Sequence, residues 1–152
     1  MTIENIKQLM DNLDIAALLP DIMSVMNGLV FLAQIALLAT PLAMLGLGMY
    51  YFLIAPKEAN YHFGYRCYFG MGSIEAWRFT QRIAGIGLGS LGLVLTVVMG
   101  IICMGFENKE AVQLLDTAVI CLIWEAALAA VAYLAITIVV TVTFDKYGYR
   151  RR

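Results

Sequence analysis

From Ile22 to Ile54 the chain carries no Asp, Glu, Lys or Arg, and two later stretches, about 83–105 and 117–144, are nearly as apolar. At 1.5 Å per residue the first run would form a helix of about 50 Å, longer than the ~30 Å hydrocarbon core of a bilayer. Pro41 lies inside it. The pattern predicts one kinked span over about 28–54, with the earlier residues outside the core, a second span over about 83–105 and a third over about 117–144. Each reaches the roughly 20 residues that a crossing requires. Ahead of them, Ile3, Ile6, Leu9, Met10, Leu13, Ala16 and Ala17 recur on one helical stripe, opposed by Glu4, Lys7, Gln8, Asp11 and Asp14. With Thr2 as N-cap and Pro20 closing the segment, residues 2–19 read as an amphipathic helix lying at the membrane interface. A helix docked on a partner protein would show the same stripe. The predicted fold is an all-α membrane protein with three transmembrane helices plus an N-terminal interfacial amphipathic helix, divided into a segment 1–21 and a membrane domain 22–152.

Composition agrees. The chain is 62% hydrophobic and 14% charged, against about 45–50% and about 25% in soluble domains. Glu4, Asp11, Asp14 and Asp21 face only Lys7 at the amino end, the wrong sign for a secretory signal, so the chain is expected to keep this segment.

The basic residues are unevenly placed. Lys57, Arg66, Arg78 and Arg82 fall between the first two spans, and Lys146, Arg150, Arg151 and Arg152 follow the third; the other two connections hold only Lys7 and Lys109. The positive-inside rule then puts the 55–82 loop and the C-terminus in the cytoplasm and the N-terminus outside a cell membrane. The second span repeats small residues at Gly85, Gly89 and Gly92, the spacing that lets helix backbones approach closely. Packing within the three-helix monomer is the plainer expectation, and a homo-oligomer through this face is the alternative.

Glu125 has no charged neighbour for eight residues before it or nineteen after. A charge near a helix centre costs about 2.5–3.5 kcal/mol on insertion scales, so it should face the bundle and find a partner. Counting depth from the expected outer surface places Gln34, Thr96 and Glu125 in one polar layer, with Glu125 either protonated or hydrogen-bonded to Gln34 and Thr96. Three roles stay open for Glu125: a clamp fixing helix register, a proton or cation site, or a toxin-contact residue.

The loop "ANYHFGYRCYFGMGS" alternates between Tyr61, Phe63, Tyr65, Cys67, Phe69 and the intervening His62, Arg66, Tyr68. That pattern is strand-like, while Gly64, Gly70 and Gly72 argue for a tight, turning segment. Ser73 reads as the N-cap of the next helix, with Glu75 in its first turn and Trp77 one turn in. Arg66, Arg78 and Arg82 are candidate contacts to phosphate or lipid, Glu75 sharing a helix face with the last two. "FGYR" at 63–66 is echoed by "YGYR" at 147–150, to which the sequence assigns no role.

Together, "NYHFGYR" and "SIEAWRFTQRIAG" resemble the signature of the SdpI family of bacterial membrane proteins: an Asn, a Gly-x-Arg-Thr element, a Ser and a Trp on the helix entering the next span. Asn60, Gly64, Tyr65, Arg66, Ser73, Glu75, Trp77 and Gly85 fit it. Cys67 stands where the family has Thr, and "YFGMG" replaces a Pro-x-Ser-like element. The resemblance implies a multi-pass membrane protein whose best-known relative, a longer chain, is an immunity protein against a toxic peptide that also captures a repressor at the membrane.

The expected function is therefore toxin-peptide immunity or membrane signalling, by binding. Its expected partners are the lipid bilayer, a toxic peptide and a cytoplasmic regulator, not nucleic acid. A carrier or lipid-handling protein using Glu125 and the arginines is the alternative, as is an accessory subunit of a larger membrane complex. An enzyme fits poorly: the chain has one His, three Cys without C-x-x-C spacing, no paired carboxylates within a span and no nucleophile–base set, so neither catalytic residues nor a metal or cofactor is expected. Cys67 is expected to be reduced; Cys103 and Cys121, near the outer ends of their helices, are within reach of pairing, with free thiols the plainer expectation.

Overall fold

The computed structural model describes residues 15–56, 58–59, 62–108 and 110–151, with the side chains of 15–22, 107, 108 and 111 left aside. The described residues form three long helices, α1 (Ile15–Leu53), α2 (Ile74–Met104) and α3 (Ala111–Thr143), with short 3₁₀ turns at Phe69–Met71 and Gly105–Asn108. All three are long and apolar enough to cross a membrane, over Met23–Leu53, Ile74–Met104 and Val112–Thr143. Large apolar side chains face outward along each, among them Phe31 at 62% exposure, Val97 at 56% and Ile138 at 60%. Lipid is the solvent that tolerates such a surface, because the helices satisfy their own backbone groups. The protein is a multi-pass membrane protein.

The helices overrun the expected spans. Residues 2–14 of the expected N-terminal helix lie outside the described residues, and its expected end at Pro20 is not kept: from Ile15 onward α1 runs unbroken through Pro20. Proline removes one backbone N–H, which a long helix absorbs when the uncharged run from Ile22 carries it forward. At the other end of the bundle, α2 begins at Ile74, well before the apolar stretch. Ser73 caps it, with extended backbone (φ −152°, ψ 164°), its Oγ accepting from the Ala76 N–H at 3.1 Å. Glu75, Arg78 and Arg82 therefore stand on helix rather than loop.

α1 and α2 meet through small residues. A Cβ at Gly92 would stand 2.5 Å from the Leu45 nitrogen and 2.9 Å from the Pro41 carbonyl, and one at Gly85 would stand 2.8 Å from Phe52. Gly48 and Gly89 touch backbone to backbone. The glycine stripe is thus consumed inside the monomer. Away from the loop end, Leu37, Met44, Leu95, Met99, Leu114 and Ala118 form the main core, with Phe106 closing it; two smaller clusters, Tyr65–Ala84–Ile136 and Ala76–Val140–Phe144, lie toward the loop end. α3 packs on both other helices.

Candidate functional site: a clasped cap on the start of α2

The described residues of the connection between α1 and α2 form no strand. Its alternation survives from Tyr65 to Phe69, with Tyr65 buried, Cys67 and Phe69 half-buried and Arg66 and Tyr68 outward, but Phe63 is 59% exposed. Gln81 takes the place of a partner strand: its Oε1 accepts from the Tyr65 N–H at 2.8 Å and its Nε2 donates to the Tyr65 carbonyl at 2.8 Å. One buried side-chain amide thus satisfies both backbone groups of one residue, which burial would otherwise leave costly.

The remaining pieces close around that pair. Gly64 has φ +110°, a conformation side-chain-bearing residues rarely adopt, and a Cβ there would meet the Trp77 ring at 2.7 Å. Trp77 is completely buried, and its Nε1 donates to the Pro56 carbonyl at 2.7 Å, tying the end of α1 to the loop. The Tyr65 hydroxyl reaches across to α3, donating to the Tyr133 carbonyl at 2.9 Å and sharing a 2.9 Å bond with Thr137 Oγ1. Burial, opposed by the Thr137 bond, pushes that phenol up to about 12, so it stays a neutral donor.

Cys67 packs between the two loop-end clusters. Burial pushes its thiol up, against the lowering pull of the Gly70 N–H and the Thr80 hydroxyl. A Cβ at Gly70 would meet Thr80 Oγ1 at 2.5 Å and Cys67 Sγ at 2.8 Å, so the three positions form one tightly packed corner. A raised thiol in that corner is a packing group rather than a nucleophile.

The C-terminal residues complete the cap. After α3, Phe144 and Arg150 form an antiparallel bridge around a turn in which Asp145 Oδ1 accepts from the N–H groups of Tyr147 (2.9 Å) and Tyr149 (2.8 Å). Gly148, at φ +77°, lies against Gly72 and Ser73, and its carbonyl accepts from Ser73 Oγ at 2.8 Å. Ser73 therefore caps α2 and latches the tail with one hydroxyl. The two Gly-Tyr-Arg echoes play parallel parts, each placing a left-handed glycine against the first turns of α2.

Around the cap, Arg78 and Arg82 line two clefts. One, about 200 Å³, also takes Glu75, Phe79, Phe144 and Arg150. Arg66 is exposed on the loop, and Asn60 lies outside the described residues. No group of three His, Cys, Asp or Glu able to hold a metal ion occurs among the described residues.

The intramembrane layer differs from expectation. Glu125 is fully buried, but neither carboxyl oxygen makes a hydrogen bond, and Thr40 of α1 is the polar side chain that approaches it. Thr96 instead donates to its own helix, to the Gly92 carbonyl at 2.7 Å. The expected bonds from Glu125 to Gln34 and Thr96 are absent. The reason is register: Gly92 sits against Pro41 and Leu45, which leaves Gln34 about two turns farther along α1 than Pro41. Sequence reasoning also missed Gln81, Thr80, Tyr133 and Thr137. Gln81 and Thr80 carried a signal, being polar positions on the same face of α2 as Trp77 and Ala84.

The sequence matches the SdpI/YfhL protein family over residues 57–144, more than half of the chain, spanning the loop, the capped start of α2 and the whole of α3. The chain belongs to the SdpI/YfhL family. A search of curated proteins and a search of solved structures found no match to it. Within this SdpI/YfhL protein, Gly64, Tyr65, Ser73 and Trp77 come together as one folded element. The matched region starts just after α1 and ends at Phe144, so it takes in the loop, α2 and α3.

Proposed function

We propose that this SdpI/YfhL-family protein works by binding rather than catalysis, in immunity to a membrane-active toxic peptide or in signalling the presence of one. Its N-terminus lies outside and its C-terminus in the cytoplasm, so the cap faces the cytoplasm, where the excess of Lys and Arg belongs. The bundle or its outer segment engages the peptide, and the cap presents a surface to a cytoplasmic regulator. One observation carries this reading: loop and tail are both clasped onto α2, building an ordered surface on what would otherwise be a simple connection. Expression in a toxin-sensitive strain tests it. Protection against a peptide encoded by a neighbouring gene is expected, and unchanged killing by every such peptide would remove the immunity role.

A second reading, a carrier of protons or small ions, is favoured by Glu125, enclosed in the bundle with both oxygens unbonded. Here Glu125→Gln abolishes activity and leaves thermal stability intact. Loss of stability with activity retained makes Glu125 a register clamp instead.

A further inference from the structure

Where α1 ends and α2 begins, a cleft of about 470 Å³ opens among Tyr51, Leu53, Pro56, Arg78 and Arg82. Beside it an apolar groove of about 320 Å³ follows the seam between the two helices, past Gly48, Gly85, Gly89, Ser90 and Leu93. Phe52 and Leu53 line both, so cleft and groove adjoin. The groove exists because the seam is made of glycine: the backbones touch, and no side chain fills the trough outside the contact. From Arg82 to Leu93 it runs about 16 Å along α2, roughly half of a ~30 Å hydrocarbon core and so the depth of one leaflet.

The polar end has a definite sign. Among the described residues, Arg78 and Arg82 are the charged ones lining the cleft, no Asp or Glu lines it, and the Gln81 amide there is committed to Tyr65. Glu75 and Arg150 line the cleft on the other flank, which Arg78 and Arg82 also border. Guanidinium groups bind phosphate oxygens in a two-pronged geometry and favour a headgroup that adds no cation of its own.

We propose that cleft and groove together hold one anionic glycerophospholipid, its phosphate on Arg78 and Arg82 and one acyl chain along the glycine seam. The proposal is independent of the toxin-immunity reading. Native mass spectrometry of the full-length protein, titrated with phosphatidylglycerol or phosphatidylcholine from neutral detergent, tests it. Phosphatidylglycerol should be retained in preference. Arg78→Gln with Arg82→Gln should weaken its retention about 25-fold, taking roughly a fivefold contribution from each arginine near the membrane surface. Ser90→Phe, which fills the groove without touching an arginine, should also weaken it. All three side chains are exposed, so the substitutions leave the core intact. Equal retention of the two lipids, or retention unchanged in either variant, overturns the site. Complete displacement of the lipid by inorganic phosphate at millimolar concentration would reduce the site to a phosphate contact and overturn the acyl-chain half.

Discussion

Gln81→Leu keeps most of the side-chain volume and removes both hydrogen bonds that hold Tyr65 at 2.8 Å. Leucine leaves a buried N–H and a buried carbonyl without partners, each at about 1–3 kcal/mol. The loop responds by opening rather than by bearing the full penalty, so the loss is expected as local destabilisation of about 2–4 kcal/mol. At the lower figure the protection of the Tyr65 amide falls about 30-fold, which hydrogen exchange on a peptide covering residues 62–72 resolves. Exchange across the middle of α2 and α3 should barely change. Gln81→Glu sharpens the test: a carboxylate still accepts from the Tyr65 N–H but turns an acceptor toward the Tyr65 carbonyl, so it rescues little. Unchanged protection in Gln81→Leu, or full rescue by Glu, would refute the claim that this amide organises the cap.

Other expectations follow from the same contacts. Ser73→Ala removes both the α2 cap, about 1 kcal/mol, and the bond to the Gly148 carbonyl; trypsin should then cut sooner at Arg150 and Arg151. Gly148→Ala should release the same tail with Ser73 intact, because its Cβ would lie 2.5 Å from the Gly72 carbonyl carbon at φ +77°. Gly92→Leu drives a side chain into the α1 backbone 2.5 Å away and should lower stability by about 1–3 kcal/mol or more, read as a lower unfolding temperature in detergent. For Tyr65, the phenol is raised from 10.0 to about 12 in the folded protein, so the neutral form contributes stability that is complete below pH 10 and is lost as pH rises toward 12. Tyr65→Phe should flatten that alkaline decline while lowering stability at neutral pH through the lost bonds to α3.

What could be read in the chain divides along physical lines. Spans are legible because lipid demands long uncharged runs, and a helix satisfies its own backbone whatever its neighbours do. Their ends are less so: α1 passes through Pro20 because the loss of one hydrogen bond is small against a helix of 39 residues. Ser73 was legible as a cap since capping is decided within one turn. The location of Glu125 inside the bundle followed from the cost of a charge in lipid. Its surroundings did not, because counting depth along each helix fixes level but not rotation or offset, and the contact of Gly92 with Pro41 and Leu45 sets an offset that brings Thr40 toward Glu125 and leaves Gln34 about two turns away.

The cap shows a different limit. Alternation in the loop signalled one face turned inward, and that much holds from Tyr65 to Phe69, but alternation cannot name what pairs with a solitary extended segment. Here the partner is a glutamine on a helix 16 residues later. The tail was equally opaque, since "YGYR" has no periodicity of its own. Its meaning comes from Gly72, which has room only for another backbone, and from Ser73, whose single hydroxyl serves the α2 N–H and the Gly148 carbonyl together. A serine with one hydroxyl and two obligations couples the start of α2 to the end of α3. The two bonds use the hydroxyl's donor and acceptor sides separately, so departure of the tail takes the Gly148 acceptor and leaves the bond from the Ala76 N–H in place.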